Sequence, residues 1–464
     1  MSSLRDLLAR LDREGELCHV TAPVDRTWEI AAVMRKVLSF PADQRPALLF
    51  ENVQGFESPL LVGLYTNRRR YAKALGLSTN DEVNERWREA LDHPLPVQEV
   101  QGGPCKEVVL TGDNASIDSL PLARWTPDKD AGLFFTSQAV ITREPGSDYV
   151  NVGTYRMQYR SRNETNLFVN PAQHVGMIFG QYEARGERMP VAVAIGADPA
   201  VTLVAPAKIP YGMSELEVAG ALMGRPLEVT RGETVDLLVP ASAEIVLEGY
   251  LEPGSRSTEG PFGEFAGVLS KSYDMPVFHI TAVTHRRKPI LQSFVSQKAP
   301  SESSLLRSVV LEALTLRTLR GLGIPAVAAH VPESGAAWYH FVVSIKKMHP
   351  AHPRMVMNAI WAAMPALAKR IVVVDEDVEP ADAFQVEMAV ATCVQPARDL
   401  TILEGYMGQI EDPSPTPGQE HMSSKLGVDA TRKHPYPAVA LPEPHYMQRV
   451  EDRWEEYGIK PLGD

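Results

Sequence analysis

The chain reads as an α+β protein of several domains, and three observations carry that reading. Its 464 residues exceed what one ordinary core organises and point to roughly two to three domains. Between about residues 105 and 296, short β-rich runs are broken by Gly, Pro and Asp, whereas the flanking segments carry helical periods. Beyond residue 324, strand, helix and strand alternate as a βαβ unit does. These changes divide the chain into an N-terminal α+β unit over 1–104, a β-barrel-like central domain over 105–299, a linking helix over 300–323 and a C-terminal α/β domain over 324–464.

In order, the first eleven residues form an amphipathic helix, Trp28 to Leu38 a second helix, and Pro46 to Phe50 a short buried strand. In the central region Val191–Ile195 and Glu244–Leu251 read as strands, and Val277–Thr284 with Ile290–Val295 reads as a hairpin around Arg286–Pro289. From Ser301 to Arg320 apolar residues recur at 305, 306, 309, 310, 313, 314 and 319, a helical period that Gly321, Gly323 and Pro325 end. Phe341–Ile345, Arg354–Met364 and Ile371–Asp375 give the βαβ alternation. The turn-rich stretch Asp412–Glu420 predicts an irregular loop, and Pro442–Gly458 a docking arm.

Composition removes several classes of function. A net charge of −12 opposes binding to a phosphate backbone, which relies on Lys and Arg patches, so no nucleic-acid partner is expected. No stretch of roughly 18 apolar residues offers a membrane span, and the N-terminus lacks the apolar core of a signal peptide, so the expectation is a cytoplasmic enzyme with no membrane partner. Cys18, Cys105 and Cys393 are widely separated and form no C-x-x-C pair for zinc or redox cycling.

The chemistry gathers at four places. Glu259-Gly-Pro-Phe-Gly-Glu264 cannot continue a helix, so both acids sit on a loop, where differing environments can give two carboxylates differing roles. Tyr149–Tyr159 alternates as one strand, with Asn151, Gly153 and Tyr155 on one face; Asn151 and Arg156 share a site only if a bulge re-aims the chain. Gln173 and His174 open a helix, whose N-terminal N–H groups attract phosphate while an imidazole can ligate a metal. Ser214 reads as the cap of another helix, with Glu215 in its first turn. Taken singly, each of these has an ordinary structural explanation: a solvated turn, a structural histidine, a favourable dipole.

In combination and in this order, these residues resemble the UbiD-like family of prenylated-FMN-dependent (de)carboxylases. The resemblance runs over roughly two-thirds of the chain. Besides the residues above, it includes Pro240–Gly249 and Ser424–Thr431. It implies that the central domain is a split β-barrel that binds flavin and that the C-terminal α/β domain serves oligomerisation. Asn151, His174 and Glu215 would hold Mn²⁺ or a similar divalent cation against the phosphate of prenylated FMN. K⁺ would sit against Glu215 and carbonyls within 204–207, and Thr154, Tyr155, Arg156, Gln173 and His174 would line the cofactor.

The implied reaction is reversible, non-oxidative decarboxylation of an aromatic, heteroaromatic or aryl-acrylic acid. Arg156 would bind the substrate carboxylate with Glu259 paired to it, and Glu264, protonated at that step, would deliver the proton after CO₂ leaves. The pocket wall would come from Ser296 to Glu302 and from Leu403, Tyr406 and Met407, with Ala299, Leu403 and Met407 favouring an apolar planar group and Lys298 or Arg307 meeting a second polar substituent. A separate flavin prenyltransferase would supply the cofactor. A homodimer or higher even homo-oligomer would use the tail residues Tyr446, Trp454 and Tyr457. Two alternatives stay open from the sequence: a cofactor-binding subunit of a multi-subunit carboxylase, and an FMN-dependent oxidoreductase.

Overall fold

A computed structural model describes residues 3–460. The N-terminal helix Leu4–Arg13 buries Leu4, Leu7, Leu8 and Leu11 along one stripe, capped by Ser3, whose hydroxyl accepts from Asp6 N–H. The helix Glu29–Val37 and the strand Ala47–Phe50 form where their periods placed them. That strand lies between Leu17–Val20, parallel, and Leu60–Val62, antiparallel. The fourth strand of this sheet is Leu291–Gln292, parallel to Leu60–Val62. The expected hairpin is therefore corrected: the chain leaves the strand Tyr273–His285 and crosses to the N-terminal sheet instead of folding back. Both neighbouring runs are apolar, and period alone cannot say which edge a buried strand will join.

The central sheet has nine strands. Its middle is a long antiparallel pair, Ile245–Glu259 with Tyr273–His285, whose register slips between Leu251 and Arg256. Such slips let strands bend, and this sheet curls into a half-barrel. Met189–Ile195 and Gln138–Arg143 continue one side, and Glu164–Leu167 and Met157–Ser161 the other. The inner face is filled by residues such as Val193, Leu247, Phe278 and Trp125. Each such side chain removed from water contributes about 1.5–3 kcal/mol.

The helix Glu302–Gly321 joins this body to the C-terminal sheet and is buried along most of its length. Its two acids act as bolts. Glu302, in the first turn, accepts from the N–H groups of Gly63, Tyr65 and Val295 at 2.8–3.2 Å. Glu312 takes Arg68 in a two-pronged pair at 2.6 and 2.7 Å and also accepts from Val331 N–H. Beyond it, His340–Ile345, the helix His352–Ala363 and Arg370–Asp375 form the expected parallel βαβ unit. Met422–Asp429 adds parallel to Arg370–Asp375, and Leu400–Met407 pairs antiparallel at the edge. The segment between those last two strands is irregular, as its prolines required. The tail helices Pro444–Glu451 and Trp454–Tyr457 bury no residue, and Tyr446, Trp454 and Tyr457 are exposed. Among the described residues no helix is long and apolar enough to cross a membrane.

Candidate active site

The run Tyr149–Tyr159 is not one strand. Val150–Gly153 pairs with Gln138–Arg143, whereas Met157–Ser161 pairs with Glu164–Leu167 on the far side of the sheet. Between them the chain turns a corner, held by Thr154 N–H donating to Ala205 O at 3.0 Å and by Gln138 Nε2 donating to Tyr155 O. Tyr155 folds back over Gly153, where a Cβ would lie 2.2 Å from the ring, so only glycine fits. The re-aiming device is thus a broken strand and not a bulge. It sets Asn151 and Arg156 on two adjoining cavities.

The first cavity, about 170 Å³, gathers Asn151, Thr154, Tyr155, Gln173, His174 and Glu215 together with Ala205–Lys208, Arg307 and Trp338. His174 begins the helix His174–Arg185, and Gln173 occupies the cap position without capping it; its Oε1 is buried and unpartnered. Glu215 begins the helix Glu215–Met223 and is 2% exposed. Ser214 stands at the cap position, but its side chain makes no capping bond, a correction to the sequence reading. Glu215 accepts from Asn151 Nδ2 at 3.1 Å and Val152 N–H at 2.9 Å, and His174 Nδ1 lies 4.0 Å away. Burial pushes the Glu215 carboxyl up to about 7, with the Val152 N–H opposing. Burial, then Lys208, pushes His174 down, so a neutral imidazole faces it.

Across the same cavity, Lys208 and Arg307 make no salt bridge among the described residues, and Arg307 Nη1 is buried without a hydrogen-bond partner; Lys208 lies 5.6 Å from the Trp338 ring, and Arg307 rests 5.0 Å from both Phe265 and Trp338. A carboxylate without a cation, a neutral imidazole and an amide oxygen make a donor set for a divalent ion. Two unpaired cations near a helix N-terminus complement a phosphate. The residues fit both groups. No three His, Cys, Asp or Glu side chains converge among the described residues, so a cation held here would need a further donor such as the Asn151 amide oxygen.

The second cavity, about 70 Å³, opens beside the first and shares Thr154, Tyr155, Gln173, Arg307 and Trp338 with it. Here Arg156 meets both acids of the turn across more than a hundred residues of chain. Its Nε and Nη2 donate to Glu259 at 2.6 and 2.8 Å, and its Nη1 donates to Glu264. Nη2 also reaches Ser270 Oγ at 3.3 Å. Burial works against the guanidinium, but Glu264 and Glu259 outweigh it and raise its pKa above the ordinary value. Glu259 closes the strand Ile245–Glu259, and Gly260, at φ +82°, reverses the chain so that Glu264 returns to the same guanidinium. The walls are aromatic: Phe168, Phe262, Phe265, Phe294 and Trp338. Phe168 lies 4.1 Å from the Arg156 guanidinium carbon, a cation–π contact.

The expected wall is only partly right. Ser296 and Arg307 line this cavity, whereas Lys298, Ala299, Leu403, Tyr406 and Met407 do not. Leu403 and Tyr406 pack against the C-terminal core and Met407 is 56% exposed. Sequence reading missed Phe168, Lys208, Trp338 and Glu411. Lys208 directly follows the 204–207 stretch already singled out, a usable signal; Trp338 and Glu411 arrive from the C-terminal domain with none.

Three family models match in succession: the N-terminal domain of 3-octaprenyl-4-hydroxybenzoate carboxy-lyase over residues 8–90, its Rift-related domain over 98–299 and its C-terminal domain over 305–430. An uncharacterised protein of Archaeoglobus fulgidus is 36% identical, with 98% of each chain covered. Among solved structures, the UbiD-class enzyme HmfF of Pelotomaculum thermopropionicum, in complex with FMN, superposes with a TM-score of 0.88 at 34% identity, covering 97% of this chain and 99% of that one. Vanillic acid decarboxylase of Sedimentibacter hydroxybenzoicus gives 0.88 at 29%, covering 99% of each. The 3,4-dihydroxybenzoic acid decarboxylase of Klebsiella pneumoniae gives 0.84 at 26%, covering 97% and 99%. With all three domains matched in order and an Arg held between two acids beside a phosphate-ready cavity, the chain belongs to the UbiD family of prenylated-FMN-dependent decarboxylases.

Proposed function

We propose that this protein reversibly decarboxylates an aromatic, heteroaromatic or aryl-acrylic acid, with Arg156 binding the carboxylate, Glu259 orienting Arg156 and Glu264 donating the proton. The observation that carries this is the sharing of Arg156. Of its five N–H groups, Nε and one on Nη2 are committed to Glu259, and Nη1 serves Glu264. An incoming carboxylate finds its donor at Nη1, and so competes with Glu264. Displaced from its cation, Glu264 is free to take up a proton and hold it toward the substrate carbon. The aromatic walls suit a planar ring.

Prenylated FMN, when bound, supplies the electron sink for the bond to CO₂. Asn151, His174 and Glu215 would hold Mn²⁺ or a similar cation toward its phosphate, with K⁺ between Glu215 and the carbonyls at 205–207, while Thr154, Tyr155 and Gln173 line its bed. A flavin prenyltransferase would supply it. The exposed aromatics of the tail support assembly of the C-terminal domain into a homodimer or larger even oligomer.

The test is CO₂ release from protein co-expressed with a flavin prenyltransferase and offered aryl, heteroaryl and cinnamic-type acids. Release that disappears in Glu264→Gln supports the reading; full release in that variant refutes it. A second reading, a subunit that needs other chains, draws support from the vanillic acid decarboxylase, whose structures include a second named component. Cofactor-loaded protein silent on every acid until a partner is added would favour it.

A further inference from the structure

Each decarboxylation consumes a proton, since RCOO⁻ and H⁺ become RH and CO₂. If that proton leaves Glu264, then Glu264 must be recharged before the next turnover, and it is only 8% exposed. A route exists on its far side. A third cavity, about 390 Å³, runs from Glu264 between Val268–Lys271 and the proline-rich loop after Met407, ending at Lys271 and Glu420 on the surface. Four residues line both this outer cavity and the substrate cavity: Arg156, Phe168, Glu264 and Glu411.

Glu411 stands out among them. Its Oε2 is buried and has no hydrogen-bond partner, whereas Arg156 and Glu264 hold each other. The loop that carries it is pinned beside it, and a surface pair lies at its far end. Lys369 Nζ pairs with Asp412 at 2.7 Å, and Lys271 Nζ reaches Glu420 at 2.8 Å. An ionised carboxylate left unpaired in such a place costs free energy that a proton removes. Burial, then the charge of Glu264, pushes the Glu411 carboxyl above its ordinary range, with a bond from its own backbone N–H, then Arg307 and Arg156, opposing. The other titratable groups electrostatically coupled to it are Tyr273, Tyr339 and Lys208.

We infer that Glu411 is a proton-relay residue that recharges Glu264 between turnovers. The inference rests on the reading of Glu264 as donor. Glu264 gives its proton to carbon and becomes a carboxylate. The O–H bond of Glu411 then breaks as one forms on Glu264, through water in the cavity both line, and Glu411 regains its proton from hydronium reaching the outer cavity, which supplies the H⁺ that the overall reaction consumes. No oxidant or reductant is needed.

The experiment compares wild type, Glu411→Gln and Glu411→Ala, all full-length and cofactor-loaded, on an acid that the wild type decarboxylates. Steady-state kcat falls roughly ten- to a hundredfold in Glu411→Gln with KM unchanged. In Glu411→Ala, added acetate buffer restores turnover in proportion to its protonated form. An unchanged kcat, or a loss confined to KM, overturns the relay. Carboxyl titration of the apoprotein by ¹³C NMR is independent of turnover: Glu411→Gln must shift the titration of Glu264, and no shift overturns the inference even if no acid is ever decarboxylated. Wild-type silence on every acid counts against the decarboxylase reading, and the titration still decides the pairing.

Discussion

Substituting Glu259 by Gln tests whether the Arg156 pair is held as tightly as its geometry states. Glu259 is fully buried and binds Arg156 through both oxygens, at 2.6 and 2.8 Å. The amide oxygen of Gln keeps one of these bonds, but its NH₂ then faces a guanidinium N–H, donor against donor. Arg156 retains Glu264, so the 3–5 kcal/mol expected for a stranded buried charge does not apply in full. The loss is one charge-assisted bond and the adjacent repulsion, about 2–3 kcal/mol. For a cooperative unit of about 200 residues this lowers the melting temperature by about 5–10 °C. The same loss of orientation at Arg156 lowers kcat/KM roughly 30- to 150-fold, at 1.36 kcal/mol per tenfold. Glu264→Gln is the internal control. Its oxygen still accepts from Nη1, so about 1 kcal/mol and only a few degrees are lost. Differential scanning calorimetry on the apoproteins checks both. A Glu259→Gln protein melting within about a degree of wild type, or one less affected than Glu264→Gln, would refute the two-pronged pair as the anchor of the site.

Burial holds Glu302 up to about 7 against an ordinary 4.5. Because the native state binds that proton more tightly, the associated stability is present below about pH 4.5 and is lost as pH rises through about 7, by up to roughly 3 kcal/mol. Urea midpoints across that range should therefore show a slope in wild type that Glu302→Gln lacks; parallel curves would remove Glu302 as its origin. In protein loaded with FMN, Mn²⁺ should raise the melting temperature, with about 2.7 kcal/mol gained at a hundredfold excess over Kd, and Glu215→Ala should abolish the response. A wild type indifferent to Mn²⁺ would count against Asn151, His174 and Glu215 as its ligands. Asp412→Asn, by freeing Lys369, should expose the loop after Met407 to proteolysis, whereas Lys271→Ala, at a solvent-exposed pair, should cost under about 1 kcal/mol and leave cleavage little changed. Equal cleavage in all three proteins would show the loop is held elsewhere.

Much of this molecule was legible in its sequence because its signals are local. The helical period from Ser301 to Arg320, the βαβ alternation after Phe341 and the turn formed by Gly260 and Pro261 each depend on a few neighbouring residues, and each appears where its pattern placed it. Gln173 and His174 open a helix for the same reason. Tertiary structure decided what lies beyond that range. Alternation predicted one strand through Arg156, yet the demand of two different partner strands broke it at residues 154–156, and that break is what aims Arg156 at Glu259 and Glu264. Leu291–Gln292 reads as the return arm of a hairpin until the N-terminal sheet offers it an edge. Trp338 and Glu411 join the site only because the C-terminal sheet packs its loops against the half-barrel. Periodicity records which face of an element is apolar; it carries no record of which distant element will cover that face, and the active site is built from that second choice.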